Sequence, residues 1–203
     1  MRNICISGIH TDAGKSCVSA ALCYAFGFEY FKLIQAGSST DKSFVEAKVA
    51  NLVSHAPGIS LKTAASPHIG MIKENVTFEG LKINIPKQNG VLVELAGGLY
   101  CPMDSKKYMI DYIEAKKLPT FLVSRNYLGS INHTVLSLEA LKSKNIEILG
   151  VIFSDEKDEL SEEYLKRQYP NLNFFNLKNF DKFSFENAAD DLGKQILKAG
   201  VRL

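Results

Sequence analysis

Tryptophan is absent from the 203-residue chain, and cysteine and proline are sparse, at four and six residues. The cysteines (Cys5, Cys17, Cys23 and Cys101) form neither a CxxC pair nor the rhythm of a metal site. A disulfide framework and a structural zinc are thereby excluded. Reduced thiols in the cytoplasm, acting as small buried hydrophobes, are expected. An excess of one charge is also lacking: 24 basic against 22 acidic side chains leave +2. That balance argues against nucleic acid or a membrane surface as the partner. No run approaches the roughly 20 apolar residues of a membrane span. The opening "MRNICISGIH" is too short in apolar residues for a secretory signal and reads as a first strand. Repeats, low-complexity tracts and linkers are missing too. What remains, 46% hydrophobic and 23% charged, suits one domain over residues 1–203.

Short apolar runs alternate with helical patterns. The expected strands are "NICIS", "YFKLI", "GVLVEL", "TFLVS", "IEILGVIFS" and "NFFNL". The expected helices are "KSCVSAALCYAF", "DKSFVEAKVANLVSH", "MIDYIEAKK", "INHTVLSLEALKSK", "SEEYLKRQY" and "FENAADDLGKQILKAG". Strand followed by helix, repeated, predicts an α/β fold in three layers: a mostly parallel sheet with helices on both faces. Runs as continuously apolar as "GVLVEL" and "TFLVS" fit strands buried on both sides. Ligands of such sheets bind at the carboxyl ends of the strands, so the residues there matter most.

The first strand ends in "GIHTDAGKS", Gly8 to Ser16. Turned-in backbone N–H groups, a glycine beside phosphate, a helix start, a lysine and a hydroxyl for Mg²⁺ make a phosphate cradle. Asp12, Ala13, Gly14, Lys15, Ser16 and Cys17 are the candidates for it, in a P-loop NTPase type of fold. The front half is one residue longer than the common G-x-x-x-x-G-K-[ST] pattern. The second strand carries Lys32, either an edge lysine or one facing an anion. Asp41 opens the next helix, either as an N-cap or as a carboxylate over the phosphates holding Mg²⁺. The third strand runs out through Glu94, placed like the second acidic group of a phosphate-loop enzyme, to Gly97 and Gly98. "LGSINH" follows the next strand, where Gly129 and the helix start could offer donors to a carboxylate. His133 there reads as structural.

These blocks together resemble the dethiobiotin synthetases. The family's loop has the same five residues between its first glycine and GK[ST], and its other motifs stand here in order. They are "KLIQAG" (Lys32–Gly37), Asp41, "SPH" (Ser66–His68), "VELAGG" (Val93–Gly98) and "LGSINH" (Leu128–His133). Ser16 replaces a threonine, Leu33 a proline, Ala36 a serine and Leu95 a glycine, and Ser154 stands where the family reads adenine with an asparagine. The resemblance implies ATP-dependent closure of a ureido ring on 7,8-diaminopelargonate with CO₂, through a carbamate and a carbamic–phosphoric anhydride. It implies Lys15, Lys32 and Thr11 as catalytic groups, and Ser16, Asp41 and Glu94 as the Mg²⁺ set. It implies Thr11, Asp12, Lys32, Ala36, Gly97, Gly98, Leu128, Gly129 and Asn132 as substrate contacts. It also implies a homodimer with the substrate tail at the interface. A ParA- or MinD-like switch ATPase is the competing reading. Such proteins usually carry a second lysine early in the loop, where this chain has Ile9, His10 and Thr11. A small-molecule kinase would need an arginine-rich lid, and residues 155–169 hold only Arg167. A relative acting on another amine substrate, such as the cobyrinic acid amidating enzymes, usually adds a glutaminase domain for which the chain has no room.

Overall fold

Six apolar runs pair side by side into one sheet in the order β2-β5-β1-β6-β7-β8, and every pairing is parallel. The computed structural model describes residues 1–38, 41–87 and 90–203. Its sheet strands are β1 (Ile4–Gly8), β2 (Glu29–Lys32), β5 (Val91–Gly98), β6 (Thr120–Arg125), β7 (Ile148–Ser154) and β8 (Phe174–Leu177). The helices are α1 (Lys15–Phe26), α2 (Asp41–Lys48), α3 (Pro67–Glu74), α4 (Met109–Lys116), α5 (Ser130–Ser143), α6 (Glu159–Gln168) and α7 (Phe185–Lys198). Residues Ile4–Gly8 and Val91–Leu95 are buried without interruption, as strands covered on both faces must be. Helices α1, α4, α5 and α7 pack on the sheet, and α7 also lies along α1. That contact is close because Gly193 faces Ala25: a Cβ on the glycine would stand 3.0 Å from the alanine's.

The expected α/β architecture is present, with three local differences. "YFKLI" is not one strand: β2 stops at Lys32, and β3 (Ile34–Ala36) pairs instead with β4 (Ile59–Leu61) in a separate parallel pair. The helix expected to run to His55 ends at Lys48. Residues 53–55 are drawn into backbone bonding with Tyr30, through Tyr30 N–H to the Val53 carbonyl and His55 N–H to the Tyr30 carbonyl. Strand β4 and helix α3 lie where no element was expected. Among the described residues, no helix is long and apolar enough to cross a membrane.

Candidate active site

Strand β1 lies between β5 and β6, so the loop after Gly8 opens where Glu94, Gly97 and Gly98 leave the sheet. That loop turns into α1 at Gly14, whose φ of 88° suits glycine. A side chain there would also collide with Ser154, because a Cβ would lie 2.4 Å from its Oγ. Ser154 donates that hydroxyl to the Ala13 carbonyl at 2.6 Å. It therefore braces the loop from the end of β7. Lys15 Nζ folds over the loop and donates to the carbonyls of His10 (3.0 Å) and Thr11 (2.8 Å). The long front half closes on itself: Asp12 N–H donates to His10 Nδ1 at 3.0 Å.

Register explains the acidic partners. Lys32 on β2 stands opposite Glu94 on β5. Lys32 Nζ lies 2.7 Å from Glu94 Oε1 and 2.5 Å from Asp41 Oδ2. Ser16 Oγ lies 2.8 Å from Asp41 Oδ1 and 3.0 Å from Glu94 Oε1, so its one proton serves either carboxylate. Lys32 thus lies on an edge strand but faces inward: it is 3% exposed and paired with two carboxylates. The Asp41 carboxylate turns to Lys32 and Ser16, and its own N–H donates to Gln35 Oε1 at 3.2 Å. Burial alone would lower the Lys32 pKa, but the Glu94 and Asp41 carboxylates outweigh it and hold the ammonium above its ordinary value. For Asp41, burial acts upward, yet Lys32 and the Ser16 hydroxyl keep its carboxyl below the usual range. Lys15 has no comparable partner, and burial followed by the Lys32 charge pushes it down to about 8.

Three cavities meet here. The central one, about 550 Å³, is lined by Thr11, Asp12, Lys15, Ser16, Lys32, Ala36, Asp41, Ser66, Glu94 and Gly97, among others. A second, about 390 Å³, shares Asp12 and Gly14 with the loop and includes Cys17 and Ser154. Its wall carries Phe44 and Phe180, with Lys48 Nζ 6.0 and 5.4 Å from their ring centroids. Its polar edge carries Asn179 and an Arg125–Asp155 ion pair of 2.5 Å. An outer groove of about 730 Å³ shares Thr11, Gly97 and Cys101 with the central cavity and adds Gly98, Tyr100, His133 and Leu136. Leu128, Gly129 and Asn132 are not among the residues lining any of these cavities; they are exposed at the start of α5. His133 accepts or donates with the Tyr127 hydroxyl at 2.5 Å.

The donor chemistry fits Mg²⁺. One hydroxyl and two carboxylates converge, and a positive charge, the Lys32 ammonium, already rests among their oxygens. Among the described residues no group of three His, Cys, Asp or Glu side chains could hold a metal. The set therefore needs phosphate and water oxygens to complete a shell, which is how Mg²⁺ is ordinarily bound in nucleotide sites. Sequence reasoning missed the aromatic wall, Arg125, Asn179 and Tyr30. The Tyr30 hydroxyl donates to Glu94 Oε2 at 3.1 Å. Its only sequence signal is the two-residue spacing to Lys32, which puts both on one face of β2.

Known proteins show which family the sequence matches and which structures share its fold. A family profile described as "AAA domain" matches residues 2–184. The chain is 47% identical to the ATP-dependent dethiobiotin synthetase BioD of Campylobacter jejuni subsp. jejuni, over 91% of each protein. It is 38% identical to the protein of the same name from Christiangramia forsetii, over 80% of each. Among solved structures, a ParA family ATPase from Chlorobium tepidum superposes with a TM-score of 0.54 at 13% identity, covering 100% of this chain and 93% of that one. The cell division ATPase MinD of Pyrococcus furiosus gives 0.52 at 15% identity, covering 98% and 99%. At such identities these two share the fold alone.

Proposed function

This chain belongs to the ATP-dependent dethiobiotin synthetases, and on that premise we propose that its strand-end site closes a ureido ring on 7,8-diaminopelargonate. It is a ligase of biotin biosynthesis that uses ATP. The observation that carries the site assignment is the convergence of Lys15, Ser16, Lys32, Asp41 and Glu94 on one cavity at the ends of β1, β2 and β5.

One substrate amine adds to CO₂, loses a proton and becomes a carbamate. A carbamate oxygen attacks the γ-phosphorus and ADP leaves. The second amine attacks the carbonyl carbon of the mixed anhydride, gives up one proton as phosphate leaves, and the ring is closed. Negative charge gathers on the carbamate and the transferring phosphoryl group, so two fixed ammonium groups, Lys15 and Lys32, supply positioning and electrostatic stabilisation. Thr11 offers its hydroxyl to the carbamate, and Asp12 an acceptor to a substrate amine. Ser16, Asp41 and Glu94 would hold Mg²⁺, which would supply charge neutralisation for the transferring phosphoryl group. The residues Asp12 to Cys17 hold the phosphates on the N-terminus of α1. The nucleoside would lie in the second cavity, whose lining includes Phe44, Phe180 and Asn179.

The substrate lies along Ala36, Gly97 and Gly98 into the outer groove. The working unit is a homodimer of single domains spanning residues 1–203. Exposed Tyr100 and Leu136 in that groove, and exposed Leu128 just before α5, support this arrangement. In it, Leu128, Gly129 and Asn132 of one copy receive the tail carboxylate of substrate held by the other.

The test is phosphate release from purified protein with Mg²⁺, bicarbonate and ATP, with and without the diamine, with CTP and GTP as parallel donors. Diamine-dependent release with the dethiobiotin mass is expected, and Lys32→Ala should lose that product while still binding nucleotide. Release that ignores the diamine would give the site to a switch ATPase instead.

A further inference from the structure

Glu94 is 0% exposed, and both of its carboxylate oxygens are in use. Oε1 takes Ser16 and Lys32, facing the cavity. Oε2 turns the other way and accepts one side-chain hydrogen bond, from the Tyr30 phenol at 3.1 Å. The phenol is itself buried, at 0% exposure, in the middle of β2. Register makes the contact possible. Tyr30 stands opposite Leu92 and Lys32 opposite Glu94, so the two β2 side chains share a face, and the longer one reaches diagonally forward to the carboxylate. A phenol costs free energy to bury unless it is hydrogen-bonded, and here it finds its partner in Glu94.

We propose that Tyr30 is a positioning residue: by occupying Oε2 it fixes the plane of the Glu94 carboxylate, so that a single oxygen, Oε1, is presented to the divalent cation. The proposal rests on the reading above that Glu94 belongs to the Mg²⁺ set. The phenol O–H is the donor and the carboxylate oxygen the acceptor, so the contact occupies Oε2. Without the phenol, a carboxylate that can turn about its terminal bond would have an unpaired buried oxygen on one side and a cation on the other. It would rotate to share both oxygens with Lys32 and Ser16, and the seat for the cation would lose its shape. Glu94 alone cannot hold its own orientation, because Lys32 and Ser16 both contact the same oxygen.

The experiment titrates Mg²⁺ into protein carrying a fluorescent ATP analogue, and separately measures analogue affinity in chelator. Tyr30→Phe keeps the ring and its packing. It should weaken the Mg²⁺ midpoint by about three- to ten-fold, the scale of one ordinary net hydrogen bond, and leave binding in chelator unchanged. Glu94→Gln should weaken the Mg²⁺ midpoint as well, and adding Tyr30→Phe to it should change nothing further. An unmoved midpoint in Tyr30→Phe, with Glu94→Gln affected, overturns the role of Tyr30 alone. An unmoved midpoint in Glu94→Gln instead removes Glu94 from the cation site. Should Tyr30→Phe fail to fold, folding of the double variant would still tie the phenol to the Glu94 charge. Failure of both would assign Tyr30 to the scaffold and overturn the proposal.

Discussion

Lys15 sits almost wholly out of water, on two carbonyl oxygens of its own loop, with a second ammonium nearby and no carboxylate in direct contact. Its proton is therefore held loosely, and the direction of the effect can be worked out. In the fold the group titrates at about 8, against 10.5 in the open chain. Between those values the unfolded chain binds more protons, so this group makes stability rise as pH rises through that window. The phosphates of a bound nucleotide reverse the preference by favouring the charged form. At pH 8.5, nucleotide binding should take up part of a proton, visible in calorimetry as a heat that depends on the buffer's ionisation enthalpy. Lys15→Met should abolish both the uptake and the rise in melting temperature; a binding heat independent of buffer would contradict the assignment. The same scale separates what could be read from the chain. Lys32, Asp41 and Glu94 were legible because each interrupts an apolar run, or opens a helix, at a strand end. Tyr30 was not, since a phenol in an apolar strand reads as packing until its hydroxyl is seen to have a carboxylate partner.

Among the elements, α1 and the loop before it depend on one contact between distant segments. Gly14 has φ 88° and touches Ser154, the last residue of β7. Gly14→Ala should weaken nucleotide binding strongly and destabilise the protein by about 2 kcal/mol, from left-handed strain and collision together. Ser154→Gly added to it should recover part of the loss, because it removes the collision and leaves the strain. No recovery in melting temperature or nucleotide affinity would show that the collision is unimportant. Helix α1 was legible to the residue, since loop, GKS and small apolar residues mark its start and "AF" before Gly27 its end. Strand β4 was not, because three residues carry too little period. The far end of α2 was misread because backbone pairing of residues 53–55 with Tyr30 overrides a helical pattern, a tertiary effect that local spacing does not record.

For the whole molecule, the groove beside Thr11 and Gly97 is open along α5, and Leu136 projects there into solvent. If a second copy covers it, Leu136→Glu should shift the sedimentation of the protein from dimer to monomer. It should also raise KM for the diamine by about ten-fold or more, as loss of an interface anchor does, with nucleotide affinity unchanged. A wild-type monomer with full activity would remove the partner from the site. The parallel architecture was legible from alternation of strand and helix; strand order was not, because nothing in a strand's own composition states its neighbour.

That order also bears on how the chain folds as it is made. Strand β1 is complete by residue 8, yet both strands that flank it begin only at Val91 and Thr120. A ribosome adding about 5–20 residues each second leaves both edges of β1 without partners for several seconds after it emerges. Parallel pairing over such separations is intrinsically slow, and unpaired apolar edges invite association with other chains. The centre of the finished sheet is thus the part of the nascent chain exposed for longest.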